Sequence, residues 1–228
     1  YYIGRYVLTS NNQSDALEFL FTHNASYLLI DSSDIGKYGA YSQIGSNETF
    51  DKLSQGPITL ILDAKNVQET KNQTIRIYNT PSGDGRVSIY PIEEDITYES
   101  GESKINLLKE NTGLMGITLS YSSLNNIPSF TQPEVVFISS TGKYTQVPIR
   151  YLKYGKTFKD FGSGIEAAIN IVQSVSEGAK GLQIDELGAV IYVSPRVFRG
   201  MMGQVYILDD PLKKFSNFEL VRSEQNLI

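Results

Sequence analysis

The run DSSDIGKYGAYSQIG, residues 31–45, holds the residue types best suited to act on a polar ligand. Asp34 and Lys37 stand three apart, and Tyr41 follows the lysine by four. On a helix those steps place the three side chains on one face. An acid, an ammonium and a phenol on one face can form one wall of a binding pocket. They can equally form a solvated ion pair worth ~0.3–0.5 kcal/mol. Spacing alone favours the solvated pair. Asp34 lies N-terminal to Lys37, the order that suits the helix dipole.

Other chemistry is thinly represented. There is no cysteine, which excludes disulfides, thiolate metal sites and cysteine nucleophiles. His23 is the one histidine, so a Ser–His–acid triad would have to use it. It falls at the end of an amphipathic helix and reads as a C-terminal helix charge. One histidine also argues against a histidine-based zinc site. Gly162 and Gly164 in FGSGIEAA form a lone GxG, and a phosphate loop needs further glycines or a lysine. They read as a structural entry to a helix. The acid runs Glu93, Glu94, Asp95 and Asp209, Asp210 could bind a hard cation, but neither has the spacing of a known loop. They read as solvated acids. Four Asn-x-Ser/Thr triplets begin at Asn12, Asn24, Asn47 and Asn72. They are glycan acceptors if the chain faces the outside, and they also arise by chance in a chain rich in these residues.

The elements that must position these residues follow from length and pattern. With 228 residues the chain has room for one large domain or a core with a sizeable insert. The net charge is −5, from 25 acids and 20 bases, which argues against a nucleic-acid partner. Arg150, Lys153, Lys156 and Lys159, interleaved with Tyr151, Tyr154 and Phe158, resemble a single-strand-binding stripe. In an acidic chain they read as the outward edge of a strand pair. No apolar run is long enough to span a bilayer, and no signal-peptide pattern is present.

YVLT, residues 6–9, reads as a short strand. A helix follows, with Ala16, Leu17, Leu20 and Phe21 on one face and Ser10 or Asn12 as its cap. SYLLID, residues 26–31, reads as a buried strand, and DIGKYGAYSQIG as a short helix. From about residue 53 come short β-branched and aromatic runs: PITLILD, QTIRIYN, RVSIYPI, GLMGITLSY, EVVFIS and QVPIRYL. TPSGDG at 80–85 and STG at 140–142 read as hairpin turns. Ser163 is the expected cap of a helix over GIEAAINIVQSVSEG, with Ile165, Ala168, Ile169, Val172 and Val175 on its stripe. LGAVIYV, 187–193, reads as a buried strand. Ser194 and Pro195 open another helix carrying Val197, Phe198, Met201, Met202 and Val205. FELVR, 218–222, reads as a last strand. The fold class expected is α/β to α+β: a mixed α/β core from residues 1–52 and 160–228, interrupted by a β-rich insert over 53–159.

The run GRYVLTSNNQSDALEFLFTHNASYLLIDSSDIGKYGAYSQIG resembles the catalytic subunit of oligosaccharyltransferase, of archaeal and eukaryotic type. In that family a G-K/R-x-M-x-S segment leads into a helix rich in Glu and Ala. A hydrophobic strand then precedes a motif D-x-x-K-x-x-x-M or I. Gly4-Arg5 and Thr9-Ser10-Asn11 match the lead. Asp34 and Lys37 match the acid and lysine, and Ile44-Gly45 match the usual ending. GAVIYVSPRVFRGMMGQVYILDDP is similar to the family's closing segment, and the middle matches only in texture. Tyr41 stands where the family usually has Met or Ile.

The resemblance implies transfer of an oligosaccharide from a lipid carrier onto Asn in Asn-x-Ser/Thr. The partners it implies are an acceptor polypeptide and a lipid-linked oligosaccharide, the latter reached through a membrane part that this chain lacks. The aspartate–lysine motif would line a pocket for the Ser or Thr, together with an upstream WWDYG motif. Asp34 would orient Lys37, Lys37 would support the polar side of the pocket, and Tyr41 would face the methyl. Burying that methyl is worth ~0.8 kcal/mol, a preference of roughly fourfold for Thr over Ser. WWDYG and the transmembrane helices with their catalytic carboxylates are absent here. The expectation is therefore an extracytoplasmic C-terminal piece, membrane-anchored in the full-length protein and inactive alone. A divalent metal, Mn or Mg, is expected in the full-length enzyme, with no metal and no catalytic residue in this fragment. The alternative from another class is a secreted, non-enzymatic β-rich module that binds glycan or protein, supported by the large insert and 15 tyrosines.

Overall fold

The computed structural model describes residues 2–31, 33–34, 36–37, 39–40, 59–71, 73–80, 89–124, 127–178 and 181–221. The chain forms two compact units, Tyr1–Thr59 with Ser194–Ile228 and Leu60–Val193. The expected α/β to α+β core is not what forms. The chain is mostly β, and its helices are short and confined to the first unit.

Among the described residues the second unit carries twelve strands. They are β1 (Thr59–Glu69), β2 (Thr74–Asn79), β3 (Tyr90–Pro91), β4 (Ile96–Ser100), β5 (Ser103–Leu107) and β6 (Thr112–Leu124). After them come β7 (Ile127–Phe130), β8 (Glu134–Ser139), β9 (Tyr144–Tyr154), β10 (Thr157–Asp160), β11 (Ile165–Gly178) and β12 (Gly181–Val193). Ten of them join one sheet in the order β10-β9-β11-β12-β1-β2-β6-β3, with β7 on β6 and β8 on both β6 and β9. The pairing is mixed: β11 runs parallel to β9 and antiparallel to β12. β4 and β5 form a separate two-stranded sheet. The turn at 140–142 forms as expected, with Gly142 N–H donating to Ser139 O at 2.9 Å and a left-handed φ of 80° at the glycine. The expected turn at 80–85 lies almost wholly outside the described residues.

The main correction is GIEAAINIVQSVSEG, which forms β11 and not a helix. Its apolar residues satisfy both periods. Ile165, Ala168 and Ile169 fit a helical stripe, but Ile165, Ala167, Ile169 and Ile171 alternate and are buried at 4%, 0%, 0% and 4% exposure. Burial that alternates along the chain, with Glu166 exposed between Ile165 and Ala167, is the mark of a strand with one face on the core. The β-branched residues lose little there and more in a helix. The GxG accordingly opens a strand. Gly164 has φ 113°, and a Cβ on it would lie 2.6 Å from Pro148 O, so only glycine fits.

Across the sheet, a register shift between β11 and β12 sets Ser174 against Asp185 but Val172 against Ala189. Near this irregularity, Leu187 O accepts from the Tyr78 hydroxyl at 2.9 Å and from Arg76 Nη1 at 2.6 Å. The two donors keep a buried carbonyl satisfied where the ladder is irregular.

The first unit is helical and irregular. Tyr6–Thr9 is not a strand. Gly4–Leu8 forms a π-helical turn, closed by Thr9 N–H and the Thr9 hydroxyl, both donating to Gly4 O at 3.1 and 2.8 Å. Helix α1 (Gln13–Thr22) follows, capped by Asn12, whose side chain accepts from Ser14 N–H at 3.0 Å. Of its expected apolar face Ala16 is buried, whereas Phe21 is 71% exposed. SYLLID is not a strand either: it has no regular structure, and Leu29 is 88% exposed. Residues 218–221 are likewise irregular. Ser194 and Pro195 do open a helix, α2 (Pro195–Arg199), which gives way at Gly200 and then to a π-helical turn at Met202–Ile207.

Both chain ends build this unit's core. Val7, Ala16, Met201 and Phe215 are buried together, with Phe19, Leu20, Leu28, Val205 and Phe218 packed against them. Met201 N–H donates to Ser10 O at 2.8 Å, tying the two ends by backbone.

A substitution separates the two readings of 165–178. Ala167 lies off the helical stripe but is fully buried in β11. Ala167→Glu is expected to cost about 3 kcal/mol or more, as an unpaired buried charge does. Glu166→Lys, at an exposed site, is expected within about 0.5 kcal/mol of the parent in the same urea titration.

Candidate functional site

Asp34 and Lys37 lie in the first unit, on backbone that is helical at 33–34, 36–37 and 39–40. Tyr41 lies outside the described residues. The start of this turn explains how the pair is held. Asp31 Oδ1 accepts from Ser33 N–H at 2.7 Å, and Asp34 Oδ2 accepts from Asp31 N–H at 3.0 Å. This is a reciprocal capping box, in which two side chains satisfy two helix-start donors. Asp34 N–H donates to Asp31 O at 3.0 Å and tightens the same turn.

The lysine is then fixed from below. Its Nζ donates to Ser33 Oγ at 2.8 Å and lies 3.8 Å from Asp34 Oδ1. The exposures differ: the Lys37 side chain is 57% exposed and that of Asp34 19%. The acid is thus committed to the fold, while the ammonium is positioned and still open to solvent. It retains donors for a further acceptor.

Two residues outside the expected site take part. The Asp31 carboxyl is held below the usual carboxylate range, first by the Ser33 side chain, then by the Ser33 backbone N–H and, more weakly, by the Lys37 charge. Tyr206, from the C-terminal π-helical turn, is pushed up by burial and, in addition, by the negative charges of Asp31 and Asp34. The phenol therefore holds its proton to a higher pH than an ordinary tyrosine does. D-x-x-D at 31–34 was a readable capping signal. Nothing in the sequence pairs Tyr206 with residues so far away.

The other candidates resolve into structure. His23 caps α1: its Nδ1 is 2.8 Å from Phe19 O, and its ring lies 4.2 Å from that of Phe19. In the basic stripe, Arg150 makes a two-pronged bond to Asp160, 2.9 Å on each arm. Lys159 Nζ donates to Phe130 O at 2.8 Å and lies over the Phe161 ring at 4.4 Å. These cations fasten the β9–β10 edge. Among the acid runs, Asp95 accepts from Lys109 N–H, and Asp210 accepts from the N–H groups of Lys214 and Phe215. Among the described residues no three acids or histidines converge on a metal position. None of the described helices is long and apolar enough to cross a membrane.

No protein-family model matches the chain, and no curated protein or solved structure matches it.

The phenol offers a pH test. Tyr206 should ionise above the ordinary tyrosine value. Its contribution to stability is full below the unfolded value, about 10, and is lost as pH rises through the folded one. Tyrosine-ring NMR, with the resonance assigned by Tyr206→Phe, should show the titration. Asp31→Asn with Asp34→Asn should lower it in part and leave it still raised, because burial is the larger cause.

Proposed function

We propose that this chain is the extracytoplasmic C-terminal domain of an oligosaccharyltransferase and contributes to recognition of the acceptor Asn-x-Ser/Thr. The observation that carries the reading is Lys37. Its Nζ is held by Ser33 Oγ and Asp34 Oδ1 at 2.8 and 3.8 Å, yet its side chain is 57% exposed. A Ser or Thr hydroxyl of the acceptor would take a proton-donating contact from this ammonium. The ammonium is pre-positioned, so little side-chain entropy is lost on contact. Asp34 orients it while serving the capping box.

A second support is convergence. The segments that resemble the family come from both ends of the chain. Within the first unit they are joined by the Ser10–Met201 backbone bond and by the shared core of Val7, Ala16, Met201 and Phe215. Transfer itself needs the membrane part, its carboxylates and its metal. This chain's share is to bind and orient the acceptor. The alternative is a secreted, non-enzymatic β-rich module that binds glycan or protein. Of the second unit's tyrosines, Tyr78, Tyr121, Tyr151 and Tyr192 are buried and unavailable for stacking on a sugar, and Tyr144 is 61% exposed.

The test uses the full-length enzyme and separates binding from folding. Lys37→Met leaves the capping box intact. It is expected to lower kcat/KM for a Thr-containing acceptor by about tenfold or more, the equivalent of losing a charged hydrogen bond of ~1.5 kcal/mol. Asp34→Asn keeps an acceptor for Asp31 N–H and should lose less. Unchanged glycosylation by Lys37→Met would sink the reading.

A further inference from the structure

We propose that Asn24 is itself an N-glycosylation site and that Asn12, which heads the same kind of triplet, is not. The proposal rests on the extracytoplasmic reading above. The fold treats the two asparagines in opposite ways. Asn12 spends both ends of its amide on α1: Oδ1 accepts from Ser14 N–H at 3.0 Å, and Nδ2 donates to Asp15 Oδ1 at 3.1 Å. Ser14, the third residue of that triplet, is locked in the first helical turn. Neither the nucleophilic nitrogen nor the hydroxyl can be offered to an enzyme without undoing the cap.

Asn24 lies just past the other end of the same helix. It adopts the left-handed φ of 53° common where helices stop, and it is exposed. The last turn is closed without the Asn24 side chain: Asn24 N–H donates to Phe21 O at 3.1 Å, Ala25 N–H to Leu20 O at 2.9 Å, and Thr22 Oγ1 to Phe19 O at 2.9 Å. Among the described residues the Asn24 side-chain amide makes no hydrogen bond, so the fold does not use it. Ser26 is exposed as well, and residues 25–31 have no regular structure, so an enzyme can draw Asn24-Ala25-Ser26 out at little cost.

The surroundings favour a sugar. Phe21, three residues before Asn24, is 71% exposed, and Tyr27, three after, is 77% exposed. Flat apolar rings are suited to cover by the apolar face of a sugar, which would remove them from water. In the transfer, Asn24 Nδ2 bonds to C1 of a lipid-phosphate-linked oligosaccharide. The C1–O bond breaks, the lipid phosphate leaves with the electron pair, and one Nδ2 proton passes to a carboxylate of the modifying enzyme.

The experiment incubates the folded 228-residue chain with a purified single-subunit oligosaccharyltransferase and a lipid-linked oligosaccharide. Site-resolved mass spectrometry reads each triplet. The expected result is Asn24 modified and Asn12 bare in the folded chain, with Asn12 becoming modified once the chain is unfolded. Asn24→Gln and Ser26→Ala should each remove one glycan, and Ser26→Ala does so without touching the left-handed residue. A bare Asn24, or equal modification of Asn12 in the folded chain, overturns the proposal. Protein from the natural source should carry the glycan at Asn24. If it is bare there although the folded chain is a substrate in vitro, the proposal fails as a natural modification. That outcome stands apart from the Lys37→Met assay, which alone tests acceptor recognition.

Discussion

The second unit depends on β8 having two partners. β8 pairs with β6 through Thr112–Thr118 and with β9 through Tyr144–Pro148. The hydrogen-bonded path β9-β11-β12-β1-β2-β6 therefore returns on itself through β8. A sheet that returns on itself leaves few unpaired backbone groups on its long strands. It must also curl, and the irregularities serve that curling. Register shifts at β11/β12, β6/β8 and β1/β2 each release a ladder position. Leu187 O at the first is met by Tyr78 and Arg76, and Met115 O at the second by the N–H and hydroxyl of Thr80. Glycines permit the closest approaches. A Cβ on Gly116 would sit 2.5 Å from Tyr78 O. The burial of Val135, Phe137, Ile117, Leu119, Val147 and Ile149 follows from this geometry.

The first unit is held differently. It has little regular structure, and its small core of Val7, Ala16, Met201 and Phe215 needs residues from both ends of the chain. Short helices in such a unit are marginal by themselves, so their ends are fastened with care. Asn12 caps α1, Ser194 caps α2, and Asp31 with Asp34 caps the turn that carries Lys37. The candidate site is thus a by-product of helix initiation. The same carboxylate that satisfies a backbone donor also steadies the ammonium.

How much of this was legible varies with the kind of signal. Runs dominated by β-branched residues between turns, such as EVVFIS and QVPIRYL, were readable because local preference and final environment agree. Caps were readable for the same reason: Asn12 and Ser194-Pro195 act within three residues of themselves. The errors came where the pattern admits two periods. Ile165 to Val175 fits a helix stripe and a buried strand equally, and only the presence of β9 and β12 on its edges decides. YVLT and SYLLID look like strands, but a strand needs a partner, and none pairs with them among the described residues. The raised Tyr206 was out of reach because its burial and the charges that act on it come from parts of the chain far away in sequence.

The capping box sharpens the question of what Asp34 and Lys37 are for. An Asp at the third helical position has a sufficient structural reason to exist, so Asp34 by itself argues for nothing further. Lys37 has no such reason. It caps nothing, and an ion pair at 3.8 Å with an ammonium 57% exposed adds little to stability. Its ammonium nevertheless donates to Ser33 Oγ at 2.8 Å and lies 3.8 Å from Asp34 Oδ1. On the function proposed above, the contact with the acceptor falls to the lysine, and the aspartate serves both the cap and the ammonium.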